Sequence, residues 1–464
     1  MFPQDLIDGF VVFLIIAGRI GFPIAIVMAL GYWLSRRVRT EDNQPVLEPS
    51  RHVMPTWYRR IMGEIDSLPA WLPTIALLMV AGGVAGIFRL WVGLGASTNL
   101  NQAYPWGLWI GFDLFMVAFS GGAFTLATIV YVFQMHRFHA AIRPTVLTGL
   151  LGYTSVLIIL MMDLGRWDRF YHFIIYPNIN SALFEVSWCI LLYTCVLVSE
   201  FSPVILEKFG WKRAVAFVRK ITIPLVIIGS TLSTLHQSSL GTLFVIMSER
   251  LHPLWYTPLI PVLFFISSVA AGVAMVVAGA TISYWVFKRS LPQKLAGDLA
   301  LFLPWILGIY LTLKLGELLA AGEIELIWTS GIYSVLFLAE IGIGVVIPII
   351  WFQFKRVLKN RTLSLIGAVL VLAGVFMDRF DVAWFALKPV QGYTYFPSLA
   401  EILIQAGIIS AIILVYTLVG HYLPLFEGTI TPEEEKQARK VLAPSPAAEY
   451  TIRRTHALIR VRDN

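Results

Sequence analysis

Apolar residues gather in eleven stretches, near 8–34, 71–94, 108–134, 145–163, 181–201, 221–245, 258–287, 298–320, 331–354, 361–380 and 399–424. A helix needs about 20 apolar residues to cross a bilayer, so each stretch predicts one span. The expected fold class is an all-α polytopic membrane protein of about eleven transmembrane helices. Most of the 35 Lys and Arg residues sit in alternate loops: 35–70, 135–144, 202–220, 288–297, 355–360 and the tail after 425. Loops that stay inside retain positive charge. This bias predicts an N-terminus outside and a C-terminus in the cytoplasm. The intervening loops hold Arg166, Arg169, Arg250 and Lys388, with Arg89, Lys314 and Arg379 near outer span ends and Arg19 inside the first span.

Three regions follow. Residues 1–70 hold an N-terminal helix and a polar, proline-bearing cytoplasmic loop, 71–424 form the main membrane domain, and 425–464 are a cytoplasmic tail. The first stretch begins with Asp5 and Asp8 instead of a basic segment, and no small-x-small site follows it, so it reads as a retained anchor. The tail combines Glu433 to Glu435 with Arg453, Arg454, Arg460 and Arg462, which suits a surface-lying segment able to touch anionic lipid. A weak repeat links Leu164-Gly165 to Leu315-Gly316, and Ser181-Ala-Leu-Phe184 to Ser334-Val-Leu-Phe337. It superposes the spans within 108–245 on those within 258–380, giving two four-helix bundles plus peripheral helices. Matches this short also arise by chance, and parallel repeats of this kind occur in transporters.

A composition of 58% hydrophobic and 14% charged residues excludes a soluble domain. The 15 Trp and 17 Tyr, many at span ends, suit the interfacial aromatic belts. The net charge of +7 is explained by the retained loops and not by nucleic-acid binding. Cys189 and Cys195 lie six residues apart on different faces of one span, without metal-ligand spacing. No CxxC, P-loop, strand-following GxGxxG or HExxH occurs. No metal is expected in this chain, and iron–sulfur or nucleotide chemistry has to come from a partner.

Ionisable groups in hydrocarbon are costly and mark substrate, ion or proton sites; here nearly all of them fall towards the outer ends. Tyr104-Pro-Trp-Gly-Leu-Trp-Ile-Gly-Phe-Asp113 opens one span, with Trp106 and Asp113 in it. Another ends in Asp163-Leu-Gly-Arg166, where i, i+3 spacing predicts an acid and a base on one face. Glu185 closes Asn180-Ser-Ala-Leu-Phe-Glu185 at a similar depth, and His236, Gln237, Ser238 and Ser239 form a polar run in an outer third. Lys314 with Glu317 repeats the i, i+3 spacing, Asp378-Arg379 and Glu401 lie at outer ends, and Glu340 is deepest. The bland reading makes Lys314–Glu317 and Asp378–Arg379 structural charge pairs, Asp113 a helix-end acceptor, and His252-Pro-Leu-Trp255 loop structure.

The set suits binding and protonating a quinone, an apolar ring with two carbonyl acceptors. Such chemistry needs a hydrogen-bond donor, here His236 or a serine, with carboxylates close by to relay protons. Glu340, Glu317 and Glu200 are candidates for an inward proton path. Two haem-ligating histidines at matching depth are missing, because His236 and His421 belong to opposite leaflets. A secondary transporter and a purely structural anchor are the competing classes.

The strings 104–113, 180–185, His236-Gln-Ser-Ser-Leu-Gly241, His252-Pro-Leu-Trp255, Leu315-Gly-Glu-Leu318, Tyr333-Ser-Val-Leu-Phe337 and Gly392-Tyr-Thr-Tyr-Phe-Pro397 together resemble the NrfD/polysulfide reductase superfamily. They are most similar to its HybB branch, the membrane subunits of nickel–iron hydrogenase-2-type respiratory complexes. The resemblance covers about 71–424. It implies a haem-free subunit that reacts with menaquinone or ubiquinone in a prokaryotic cytoplasmic membrane. A ferredoxin-like iron–sulfur subunit would dock outside and lead to a catalytic subunit, a hydrogenase or an oxidoreductase of sulfur compounds or cytochromes. Carried over, Asp163, Arg166, Glu185 and His236 serve the quinone, with proton translocation as an added expectation. The branch starts near residue 71, which makes the first span and its loop extra.

Overall fold

The structure, a computed structural model, describes residues 72–289 and 291–426. The expected first span, the loop 35–70 and the tail beyond 426 lie outside the described residues. Ten helices among the described residues are long and apolar enough to cross a membrane: α1 (Leu72–Val92), α2 (Gly107–Val132), α3 (His136–Asp163), α4 (Ala182–Lys208), α5 (Lys212–Val245), α6 (Ile260–Phe287), α7 (Gln293–Ala320), α8 (Ile332–Trp351), α9 (Arg361–Phe385) and α10 (Leu399–Tyr422). They match the ten expected runs after the first. Among these residues no β-strand forms, and a single antiparallel bridge joins Leu251 to Leu387. The chain is an integral, all-α membrane protein.

Several helices outrun their apolar stretch. α5 begins at Lys212, nine residues before the expected 221, and its Arg219 pairs with Glu207 at 3.0 Å. Hydropathy marks the thickness of the hydrocarbon, whereas a helix continues into the headgroup region as long as its charges find partners.

Helices α2–α5 pack in sequence and close a ring, and α6–α9 close a second. These are the two expected four-helix bundles. The rings join along α2 and α6, helped by α2 against α9 and α5 against α6. The apolar windows of α6 and α2 are 83% and 78% buried, so both face protein on nearly every side. α1 and α10 form a peripheral pair against the first ring, with α10 touching α3 and α2. In a bilayer, helices approach closely where side chains are small. Accordingly, Gly122 meets Gly272 between α2 and α6, Gly344 meets Gly374 between α8 and α9, and Gly82 meets Gly407 between α1 and α10.

At one end of the molecule, here called the basic end, α3, α4 and the end of α10 are tied together: Arg143 donates to Pro424 O (3.0 Å) and Lys208 to Tyr422 O (2.8 Å). The opposite end, the site end, is stitched through its loops. His252 N donates to Ala386 O, Lys388 N to Arg250 O, and the Arg250 guanidinium to Lys388 O and Ala103 O at 2.9 and 2.6 Å.

The two adjacent glycines of α1 give a test of the close crossing. A Cβ on Gly82 would sit 2.6 Å from Gly407 Cα, whereas one on Gly83 meets nothing within 4 Å. Gly82→Leu is expected to destabilise the detergent-solubilised protein by about 1–3 kcal/mol through overpacking, while Gly83→Leu leaves it unchanged; thermal unfolding of both variants checks this.

Candidate functional site

The site end of the first ring begins with the entry into α2. Gly107 takes φ +49°, in the left-handed region, and a Cβ there would collide with the Tyr395 ring. Glycine thus lets Tyr395 lie against the helix start, where its hydroxyl accepts from Leu108 N (3.0 Å) and donates to Glu401 Oε2 (2.9 Å). Burial pushes the Tyr395 phenol above its usual range, which keeps the donating proton in place. Glu401 closes the start of α10 by a capping box with Ser398 and also accepts from Asn99 N at 3.1 Å. Trp109 Nε1 donates to Glu401 O at 3.2 Å. One carboxylate therefore locks the loop after α1, the start of α2 and the start of α10.

Inside this cap, α2 presents Asp113, only 6% exposed and with Oδ1 lacking a hydrogen-bond partner. His236 of α5 is fully buried. Its Nδ1 lies 3.0 Å from the Tyr153 hydroxyl of α3, and its Nε2 has no partner. Tyr153 packs edge-on against Tyr193 of α4 at 4.7 Å. Gln237, next on α5, is fully buried with neither amide atom hydrogen-bonded. Ser238 donates to its own helix at Leu235 O, whereas Ser239 Oγ lies 2.6 Å from Glu185 Oε1 of α4. Trp106 stands half-buried with its ring edge-on to Phe244 at 5.2 Å. Buried polar atoms without partners are rare in folded proteins. Several on one ring mark a place prepared for a polar ligand or ordered water.

Two expected charge pairings do not form. Helix α3 ends at Asp163, and Leu164 turns to extended backbone (ψ 124°), so the i, i+3 spacing to Arg166 no longer measures a helix face. Arg166 is exposed and forms a two-point pair with Asp168, at 3.0 and 2.9 Å. The hydrogen bond from Arg166 holds the Asp168 carboxyl below its usual value. Arg89 of α1, fully buried, reaches the turn after Asp163 instead, its Nη2 donating to Leu164 O at 2.6 Å. Lys314 is likewise buried and, among the described residues, forms no ion pair with Glu317; its Nζ lies over the Phe337 ring of α8 at 5.8 Å. Glu340, Glu317 and Glu200 lie on α8, α7 and α4, in two different rings, and are not brought together.

Arg89 and Tyr153 are the residues that sequence reasoning missed. The signal for Arg89 was present, as a lone cation inside an apolar run near an outer end. Tyr153 carried none, because nothing in the sequence says that its hydroxyl meets His236.

Ten membrane helices, a polar cluster at one end of the first ring and paired four-helix rings define a class, and the family model described as "Polysulphide reductase, NrfD" matches residues 96–388. The chain belongs to that family. Among curated relatives, it is 30% identical over 375 residues to the "Probable Ni/Fe-hydrogenase 2 b-type cytochrome subunit" of Escherichia coli, covering 78% of this chain and 93% of that protein. It is 29% identical to the "Menaquinone reductase, integral membrane subunit" of Nitratidesulfovibrio vulgaris, over 80% and 93% of the two chains. Its identity to a selenate reductase subunit of Mesobacillus selenatarsenatis is 23%, over 76% and 93%.

The reassigned cation is testable by stability. Arg166→Ala is expected to leave thermal unfolding unchanged, because its pair with Asp168 is exposed and screened by solvent. Arg89→Gln, which strips a buried cation from beside Asp163, is expected to cost on the order of 3 kcal/mol. Equal effects in thermal unfolding would return the role to Arg166.

Proposed function

We propose that this chain is the quinone-reactive membrane subunit of a multi-subunit respiratory oxidoreductase. The observation that carries the reading is the unpartnered set His236 Nε2, Gln237 and Asp113 Oδ1, buried at the site end of the first ring. A quinone offers two carbonyl acceptors on an apolar ring, and this ring of helices offers unpartnered donors in His236 and Gln237, with the Asp113 carboxyl as an unpartnered acceptor. With Tyr153 donating to Nδ1, His236 would carry its proton on Nε2 and donate it to one carbonyl; the Gln237 amide would serve the other, and Trp106 would wall the ring. Two electrons arriving from an iron–sulfur partner and two protons convert quinone to quinol. Glu185, linked to Ser239, and Asp163, held beside Arg89, are the carboxylates placed to relay those protons.

The positive loops assign the basic end to the cytoplasm, so the ferredoxin-like iron–sulfur subunit docks on the outer, site end. The printed names of the relatives span hydrogenase, menaquinone reductase and selenate reductase, which supports the shared membrane module more than any one catalytic partner. Menaquinone or ubiquinone is the substrate class. A secondary transporter fits the repeat and buried carboxylates, but the family match weighs against it.

The name of the E. coli relative includes a b-type cytochrome. Of the two histidines expected within spans, His236 lies near the site end and His421 at the basic end, so these two do not hold one haem. His236 is engaged with Tyr153, and His136 and His139 stand with His421 at the basic end. The reading therefore runs without haem.

Glu185→Gln and His236→Ala are each expected to lower quinone-linked turnover by roughly 10²–10⁴-fold, the usual contribution of a positioned proton-transfer group. Assembly of the complex, followed by gel filtration, should be unchanged. Wild-type turnover in both variants would remove these residues from the site.

A further inference from the structure

The second ring buries an ionic cluster that quinone chemistry in the first ring does not use. Helix α9 passes into a π turn over Asp381–Phe385, closed by Ala386 N donating to Asp381 O at 2.8 Å. Such turns add a residue to the helix and re-aim its side chains, often at functional sites. Here Asp378 and Asp381 enter the ring interior with Glu340 of α8 and Lys314 of α7. Their exposures are 5%, 2%, 1% and 3%, and that of Arg379 is 0%.

Arg379 is engaged through both Nη atoms, while its Nε lacks a partner. It pairs with Asp378, donates to Phe264 O (3.1 Å) and Ser267 Oγ (2.8 Å), and stacks over the Phe264 ring at 3.5 Å. Asp378 and Arg379 thus balance each other. What remains in this ring is one buried ammonium, Lys314, whose Nζ lies 5.8 Å from the ring of Phe337, one turn before Glu340, and two buried carboxyls, Glu340 and Asp381. Glu340 accepts from Trp255 Nε1 at 2.8 Å and from the Tyr310 hydroxyl at 3.4 Å. It also lies within hydrogen-bonding reach of Asp381, whose Oδ2 has no partner.

Two carboxyls buried in one ring interior do not both ionise readily against one ammonium, because like charges taken out of water are poorly screened. The packed elements supply their ionisable groups as follows: Tyr310 and Lys314 from α7, Glu340 from α8, and Asp378, Arg379 and Asp381 from α9. Helix α6 adds only the Ser267 hydroxyl to these contacts, the loop before it the Trp255 indole, and α2 keeps Asp113 in the first ring. Among the described residues, no three His, Cys, Asp or Glu groups converge to hold a metal ion.

We propose that Glu340 and Asp381 together bind one exchangeable proton, making the second ring a proton-binding site separate from the quinone site. The site has a mechanical link to the first ring. Phe380, between Arg379 and Asp381, packs on Gly111 of α2, where a Cβ would lie 3.1 Å from its ring, two residues from Asp113. Loading or unloading the proton therefore bears on the helix that carries Asp113.

Infrared spectroscopy of the purified complex in H2O and D2O tests this without quinone turnover, so its outcome is independent of the quinone reading. The wild type is expected to show a carboxylic-acid C=O band that shifts in D2O. Glu340→Gln and Asp381→Asn should each abolish that band, because one ammonium then faces one carboxylate. Lys314→Met should have the opposite effect and raise the band about twofold, since both acids then keep protons. Variants are compared after gel filtration at the wild-type elution position, and Lys314→Met decides the matter alone if the other two fail to assemble. A missing wild-type band, loss in only one of the carboxyl variants, or an unchanged band in Lys314→Met would overturn the proposal. A band removed by sodium ions at constant pH would replace the proton by a metal cation.

Discussion

Between α2 and α6 the backbones come so close that a Cβ on Gly272 would lie 2.8 Å from Gly122 Cα. This crossing is the constraint on which both rings depend. Lipid tails are as apolar as leucine, so helices in a membrane gain little from hiding apolar surface and rely on close packing and polar contacts. With α2 and α6 pressed together at mid-height, each ring closes around one of them, and their site ends reach one shared cap of loops. The stitching of Arg250 to Lys388 and Ala103 spans that cap. A bulkier residue at the crossing would separate the rings and pull the cap apart.

The same solvent explains where the polar side chains point. A hydroxyl or carboxyl facing lipid has no water to turn to, so the interior of each ring collects them. The two interiors solve the problem differently. In the second ring the charges nearly cancel one another, through Asp378 with Arg379 and through Lys314 with its acids. In the first ring, His236, Gln237 and Asp113 keep atoms without partners. Internal balance suits a site that stores charge; unfilled hydrogen-bonding capacity suits a site that receives a molecule.

Much of this was legible before any coordinates. Eleven apolar runs foretold the ten described helices, and the order of motifs over about 71–424 foretold the family. The polar run His236–Ser239 and the shallow carboxylates Asp113, Asp163 and Glu185 do meet at one end of one ring. What failed were arguments that assume a helix continues. Asp163 and Arg166 share a face only if the helix runs past Asp163, and it stops there because Leu164 becomes extended. Lys314 and Glu317 do share a helix, but Lys314 is buried in the ring whereas Glu317 stays partly exposed. Side-chain choices set by other helices, such as Tyr153 meeting His236 or Arg89 attending Asp163, leave no trace in local spacing.

The peripheral pair α1 and α10 leans mainly on the first ring, with the basic end of α10 also reaching Phe287 of α6, yet it delivers Arg89 and Glu401 to the first ring's site end. The two halves of the molecule share a plan but not their surroundings. A symmetrical scaffold is made unequal by what is attached to one side of it. Division of labour between the rings therefore needs no redesign of either; it follows from an outrigger that gives one half a buried cation and a locked doorway, and leaves the other half closed upon its own charges.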